Sequence, residues 1–397
     1  MSANPLARSV DVAILGGGPA GCATALALGQ EDFTVALIER SNYLNVRVGE
    51  TLPPEVNASL QTLGLWEQFL RDSPCACAGI RFAWGRRDVR ESSSIFNPYE
   101  TGWHIDRARF DAMLARMAEK AGVRVLTAAS RIACCEGAGN QWEVHVTTDK
   151  KRFVIQTRFL VDASGRASTL ARSCSVRRML FDRLVGIIVF LPTTSGDTLG
   201  NCTFVEAVED GWWYSAPLPN SRTVVAYMTD ADLHEKAANR SIDYWREQFC
   251  RTTHSKTLVS SRAPISGPFV VAASSSRLSR FGGKNWLAVG DAAVAFDPLS
   301  GQGVYRALES GVRAARTIRR LFLGDRAALQ NYASETIESF DRYLSMRDRF
   351  YEREKRWQET PFWQRRSTAV RSGKTYKTGV AIPFDGSLDR CRQAVCY

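Results

Sequence analysis

Residues 10–39 read VDVAILGGGPAGCATALALGQEDFTVALIE. Their punctuation is that of a strand, a turn, a helix and a second strand. Val10–Leu15 is a short apolar run, Gly16–Gly21 the turn, Cys22–Leu28 an Ala/Leu helix, and Thr34–Glu39 a second apolar run. Gly16-x-Gly18-x-x-Gly21 therefore follows a strand and opens a helix, and Glu39 closes the next strand. The first glycine permits the tight turn. The second lets backbone approach a pyrophosphate, and the third allows close helix packing. The helix N-terminus adds N–H donors and the positive end of a dipole, and Glu39 can accept hydrogen bonds from ribose hydroxyls. Val12–Gln30 carries no charge, but three glycines and Pro19 interrupt it. Neither a membrane span nor a cleaved leader is expected here, and a cytoplasmic protein is expected.

Length and composition bound the rest. At about 150 residues per domain, 397 residues make two or three units. Hydrophobic residues are 45% and charged residues 23%, which excludes a disordered chain, a collagen-like fibre and a small disulfide scaffold. The net charge of +11 points to anionic partners without choosing among a phosphate cofactor, nucleic acid, an acidic protein or a membrane surface. No base-reading module accompanies the basic residues, so nucleic acid is not expected, and neither is membrane. The 10 Cys fall in C-x-C, C-C and C-x4-C spacings with no His at finger-like distance. Reduced thiols and no metal are expected.

Further along, Pro53–Leu70 and Arg107–Ala121 read as helices. Val123–Leu126, Trp142–Thr147, Arg152–Thr157 and Arg158–Ala163 read as strands. From about Val176 to Pro268 strand-like runs dominate: Leu184–Leu191, Cys202–Val208, Trp212–Pro217, Thr223–Thr229 and Leu258–Ala263, with Ile242–Cys250 helical. Trp286–Val289 is a strand again, Val304–Leu321 a helix, and the chain after Asp325 is helical to about Gln364. The fold class expected is mixed α/β: a Rossmann-like dinucleotide-binding domain, an inserted mixed-sheet substrate domain and a helical C-terminal region. Residues 1–75, 106–175 and 276–325 build the first domain. Residues 76–105 and 176–275 build the second, and 326–397 form the basic C-terminal region.

Two more elements complete the site. Val161-Asp162-Ala163-Ser164-Gly165-Arg166 follows a strand. Val289-Gly290-Asp291-Ala292-Ala293 leads to Asp297-Pro298-Leu299-Ser300-Gly301-Gln302-Gly303 and a helix. In this order the elements resemble the FAD-dependent monooxygenases of the p-hydroxybenzoate hydroxylase type and the related flavin halogenases, over about residues 10–320. The resemblance implies a tightly but non-covalently held FAD. Gly16, Gly18, Gly21 and Glu39 would hold its ADP part, and Asp162 belongs to the second fingerprint. Asp291 would meet the ribityl chain and pyrophosphate, and Gly301 to Gly303 the isoalloxazine ring. Arg107 matches the arginine that opens a helix and reaches the flavin. Pro19, Ala20, Arg40, Arg47, Gly165, Gly290, Pro298 and Gln302 complete the expected cofactor set. Only one dinucleotide fingerprint is present. Either NADH or NADPH visits transiently, or a separate reductase delivers reduced flavin.

Val48-Gly49-Glu50-Thr51-Leu52-Pro53-Pro54 is similar to the segment near the flavin of tryptophan halogenases. Gly211-Trp212-Trp213-Tyr214-Ser215-Ala216-Pro217 is an imperfect copy of their G-W-x-W-x-I-P run. Those enzymes need a lysine just before a strand like Gly79–Phe82. Here that stretch is Pro74-Cys75-Ala76-Cys77-Ala78, and no lysine precedes Lys120. This argues against halogenation and for a flavin hydroperoxide that hydroxylates an electron-rich aromatic ring with O2. Glu50 is the candidate for a polar catalytic role beside the flavin, or a cap for the helix near Pro53. His104 is a second candidate.

Residues 341–397 carry 13 Lys or Arg against 7 Asp or Glu, and Arg349–Arg366 interleaves cations with aromatics. That run is either a solvated helix whose aromatics dock on the body or a surface for a protein. Together with Gly49–Pro54 and Gly211–Pro217 it resembles the flavoprotein maturases of tryptophylquinone enzymes, those accompanying lysine ε-oxidase, glycine oxidase and quinohemoprotein amine dehydrogenase. The resemblance implies a peptidyl Trp of a partner oxidase or dehydrogenase as substrate. A free aromatic natural product is the alternative substrate, and a flavin-bound maturation scaffold without oxidation the alternative of another class.

Overall fold

The apolar runs at the N-terminus fold as the strands they read as. The computed structural model describes residues 9–93, 101–137, 139, 141–149, 151–236, 242–260, 263–371 and 394–396. In it β1 spans Ser9–Leu15 and β2 spans Val35–Ile38, with α1 (Pro19–Gly29) between them. The strands pair in parallel, Val12 opposite Val35 and Leu15 opposite Ile38. α2 (Arg107–Lys120) leads through Gly122 to β3 (Arg124–Leu126), parallel to β2. β4 (Ala129–Glu136) and β5 (Trp142–Thr148) form an antiparallel hairpin that continues into β6 (Arg152–Asp162). The order is β4-β5-β6-β1-β2-β3, with Trp286–Ala288 also on β6.

β6 corrects one expectation. The sequence reads as two strands, Arg152–Thr157 and Arg158–Ala163, because its partners change. One edge pairs antiparallel with β5 as far as Thr157, then parallel with Trp286–Ala288. The other edge runs parallel to β1. Leu15, Asp162 and Ala288 thus lie in one row, so the turns that follow all three strands open at the same sheet edge. Ligands of open α/β sheets bind at such carboxyl ends.

The second sheet is the mixed one. β7 (Leu184–Pro192), β8 (Cys202–Val208), β9 (Gly211–Leu218), β10 (Arg222–Asp230) and β11 (Ser266–Ala272) stand in the order β11-β7-β10-β9-β8, followed by Gly79–Ala83 and Arg90–Ser93. Alternation sorts its faces. Ile187, Val189, Phe204, Trp213, Val225 and Tyr227 pack on Trp245 and Phe249 of the Ile242–Cys250 helix. Ile188, Trp212, Val224, Ala226 and Met228 point the other way.

α3 (Gly303–Phe322) packs against α1, where a Cβ on Gly311 would lie 2.5 Å from the Ala20 carbonyl oxygen. α4 (Ala328–Tyr351) and α5 (Pro361–Arg371) close over the second sheet. Tyr351, Phe362 and Trp363 are buried there with Trp84 and Trp212. The aromatics of the basic run thus dock on the body, while Arg353, Lys355 and Arg365 stay exposed. The basic stretch at 372–393 lies outside the described residues. No helix among the described residues is long and apolar enough to cross a membrane.

Two other expectations give way. Pro53–Leu70 forms two short helices, Val56–Thr62 and Trp66–Arg71, broken at Gly64 with φ +67°. Leu258–Ala263 is not a strand. Residues 261–262 lie outside the described set, and Ser255–Leu258 is a helical turn. Its start is capped by the distant Glu206 carboxylate, which accepts the Thr253 and Ser255 N–H groups, each at 2.7 Å. The strand lies later, in β11.

Candidate active site

The glycines of the first turn divide their work as the sequence implies. Gly16 has φ +114°, and a Cβ there would lie 2.2 Å from the Ala163 carbonyl oxygen. A Cβ on Gly21 would lie 2.0 Å from the Gly16 oxygen. These two are closed off by protein. A Cβ on Gly18 would meet nothing within 4 Å, because Gly18 faces a cavity of about 610 Å³. Gly18 is also the N-cap of α1 and supplies no side chain to its first N–H groups. Donors left over at a helix start suit an anion. Pro19 and Ala20 line the same cavity, and Gly21 packs behind it.

Glu39 and Arg40 continue the wall. Glu39 accepts the Gly17 N–H at 2.7 Å, the Ser41 N–H at 2.9 Å and Arg47 at 3.0 Å. Burial pushes its carboxyl up, but these donors outweigh burial and hold it below the ordinary value. Arg47 also pairs with Asp111 at 2.6 Å, and Asp111 takes Arg107 at 3.2 Å. Arg107 reaches the Val48 carbonyl at 2.7 Å. One buried carboxylate thus fixes two cavity-lining arginines. Sequence reasoning missed Asp111, although Arg107 and Asp111 stand four apart on one helix face, the spacing of a helical ion pair.

The second and third elements contribute unequally. Gly165, Asp291, Pro298, Gly301 and Gly303 line the cavity, and a Cβ on Gly165, Gly301 or Gly303 would meet nothing within 4 Å. Asp291 pairs with Arg166 at 3.5 Å. Asp162, Gly290 and Gln302 do not line it. Asp162 is buried and accepts the Ser164 N–H at 3.1 Å and the Ala171 N–H at 2.9 Å, so it organises the turn after β6. Gly290 has φ +54°, and a Cβ on it would lie 2.6 Å from the Ala20 Cβ. The Gln302 side chain accepts from Arg306 at 3.0 Å.

The far end of the cavity is walled by the second sheet. Ile188, Val224, Ala226, Met228 and Val271 face it, with Tyr214 and Phe296. Tyr214 is the member of the Gly211–Pro217 run that reaches the cavity, its hydroxyl 2.6 Å from Thr51 Oγ1. Trp212 donates instead to the Tyr351 hydroxyl at 3.0 Å, and Trp213 stacks on Tyr227. Glu50 lines this end, is only 4% exposed, and has one carboxyl oxygen buried without a partner. Burial pushes it up to about 7 against the pull of the Gly49 N–H and Arg107. It is therefore poised to hold or release a proton near neutral pH. His104 does not line the cavity. Its strand pairs with Thr51, its ring lies 2.8 Å from Thr203 Oγ1, and burial pushes it down to about 4. A neutral, bonded ring behind the wall fits a packing histidine. No lysine lines the cavity among the described residues.

The model of the tryptophan halogenase family matches residues 11–97 and 86–384. The chain belongs to this family. Among its relatives, LodB of Marinomonas mediterranea, assigned as an FAD-dependent oxidoreductase, is 29% identical over 90% of this chain and 97% of LodB. The flavin-dependent halogenase CmlS shares the fold, with a TM-score of 0.81 at 23% identity over 94% of this chain and 71% of its own. QhpG, a peptidyl tryptophan dihydroxylase essential for tryptophylquinone cofactor biogenesis, superposes with a TM-score of 0.74 at 26% identity, covering 90% of this chain and 79% of QhpG. The Rossmann-type FAD-binding fold and a flavin cofactor come with this family. The open cradle at Gly18, the uncapped start of α1 and the glycines at 301 and 303 fit FAD.

Proposed function

We propose that the protein is an FAD-dependent monooxygenase that hydroxylates a Trp side chain of a partner protein during tryptophylquinone formation. The observation that carries this reading is the cavity itself. It joins an FAD cradle to an apolar wall beside the buried Glu50 carboxyl, and among the described residues no lysine amine lines it. Halogenation in this family needs such an amine to pass the halogen to the ring, whereas oxygen transfer to an electron-rich ring does not. The likeness to QhpG supports the same direction, and the likeness to LodB supports an FAD-dependent oxidoreductase.

Gly18, Pro19 and Ala20, with Glu39 and Arg40, would hold the ADP part. Asp291, Pro298 and the turn at Gly301 to Gly303 would hold the ribityl chain and ring. Bound, reduced FAD would supply the two electrons that let dioxygen give one oxygen atom to the ring and the other to water. The chain's own task is to place the ring and exclude water. Ile188, Val224, Ala226 and Met228 supply the dry wall, and Glu50 holds the proton that the reaction moves beside the ring. Electrons would come from NADH or NADPH visiting transiently, or from a separate flavin reductase.

The test is mass analysis of partner peptides after turnover with FAD, a reductant and O2. A gain of one or two oxygen atoms on Trp is expected. A chlorinated or brominated product in halide buffer would overturn the reading, and turnover of free indoles without any protein would reassign the substrate. A partner matured equally well by flavin-free protein would mean a scaffold.

A further inference from the structure

On the solvent face of the β4–β5 hairpin, Cys135, Glu143 and His145 bring together a thiol, a carboxylate and an imidazole. Their donor atoms all lie within 4.8 Å of one another. Register places them: Glu143 stands opposite Cys135, and His145 lies two residues on along β5, on the same face. The hairpin's other face, with Ile132, Cys134, Val144 and Val146, is buried in the core, so the backbone beneath the cluster is anchored. Cys135 Sγ is 3.7 Å from His145 Nε2, and that nitrogen is 3.6 Å from a Glu143 carboxyl oxygen. A tetrahedral zinc at about 2.3 Å from sulfur and roughly 2.0–2.1 Å from nitrogen and oxygen holds such donors about 3.3–3.6 Å apart. The two measured pairs need to close by only a few tenths of an ångström.

We propose that Cys135, Glu143 and His145 form a binding site for a zinc-class divalent cation, with water in the fourth position. Thiolate and imidazole together select Zn²⁺ over Mg²⁺ or Ca²⁺. On binding, the Cys135 S–H proton leaves to solvent and a sulfur–metal bond replaces it. None of the three residues lines the cavity, so the site is separate from the flavin and clips β4 to β5. Cysteine spacing alone does not reveal it. Its ligands lie on two strands, and only one of them is a cysteine.

The probe is Co²⁺ added to full-length, flavin-loaded protein, followed by displacement with Zn²⁺. One equivalent is expected to give tetrahedral d–d bands at longer wavelength than the flavin absorption. Cys135→Ser and His145→Ala are expected to lose those bands while keeping the flavin spectrum. Cys250→Ser, at an exposed thiol away from the hairpin, keeps them. On the unaltered protein, Zn²⁺ should slow alkylation of Cys135 but not of Cys250, read by peptide mass. Bands that survive both substitutions, absence of any d–d signal, or equal alkylation of the two thiols would overturn the proposal.

Discussion

Two glycines in one turn make different demands, and substitution separates them. Gly18 has φ −77° and ψ −177°, extended backbone that any residue adopts, and it has open space where a side chain would go. Gly18→Val is expected to fold and melt like flavin-free wild type, yet to purify colourless and refuse added FAD. Gly16→Val faces both a positive φ and the Ala163 oxygen. Strain and overpacking of about 1–3 kcal/mol each should lower its melting temperature by several degrees. Stoichiometric flavin in Gly18→Val would refute the cradle. Glu50 makes a second demand, on pH. Its carboxyl ionises near 4.5 when unfolded and is pushed up to about 7 when folded. Between those values the folded chain holds a proton that the unfolded chain has released, so stability falls as pH rises through the window and stays lower above it. The cost reaches about 3 kcal/mol at most. Flavin-free Glu50→Gln should therefore melt above wild type at about pH 8, with the gap shrinking toward about pH 5. Equal melting across that range would put the Glu50 side chain in water.

At the scale of elements, α4 braces the turn that would meet the flavin ring. The Asp297 N–H donates to the Tyr343 hydroxyl at 2.6 Å, and the Asp297 carboxylate accepts the Tyr351 hydroxyl at 2.8 Å. Burial, then Asp182, pushes Asp297 up to about 6 against its donors. Tyr351→Phe removes one of those donors and also strands the Trp212 N–H, at about 1–3 kcal/mol. FAD affinity is expected to fall about tenfold, in line with about 1.4 kcal/mol, measured by fluorescence titration. Unchanged affinity would mean that the turn holds itself. The same pair shows what sequence could and could not disclose. Asp297-Pro298 and the following glycines are local signals, legible because turn chemistry is written within a few residues. Their braces lie 46 and 54 residues away, and nothing in Tyr343 or Tyr351 announces the contact. The β1–α1–β2 opening was legible because apolar runs and glycines alone determine it. The turn at Ser255–Leu258 was not, because a carboxylate on another strand starts it. Asp162 was correctly placed at a strand end, but its lone pairs are spent on its own turn.

For the whole molecule the question is what the excess positive charge does. If the cationic, aromatic run near the C-terminus were a solvated face for a partner, its arginines would matter for binding and hardly for folding. The structure sets two neighbours against each other. Arg366 has a side chain 9% exposed, pairs with Asp230 at 2.8 Å and lies over the Phe362 ring at 3.5 Å from its centroid. Arg365 shares Asp230 at 2.7 Å but reaches it from the outside, 40% exposed, and also holds Asp232. Asp230 itself is 2% exposed, at the end of the strand that walls the cavity. Removing the inner cation leaves the buried carboxylate with the half-exposed Arg365 alone, which costs up to about 3–5 kcal/mol. Removing the outer one breaks a half-solvated pair worth about 0–1 kcal/mol. Arg366→Met should therefore lower the denaturant midpoint strongly, and Arg365→Met barely. Both cations carry the same charge, so a merely electrostatic role would move the two variants equally. Equal, small losses would return the run to solvent and make it a docking stripe. Unequal losses tie α5 to β10, and with it the C-terminal helices to the sheet that walls the cavity.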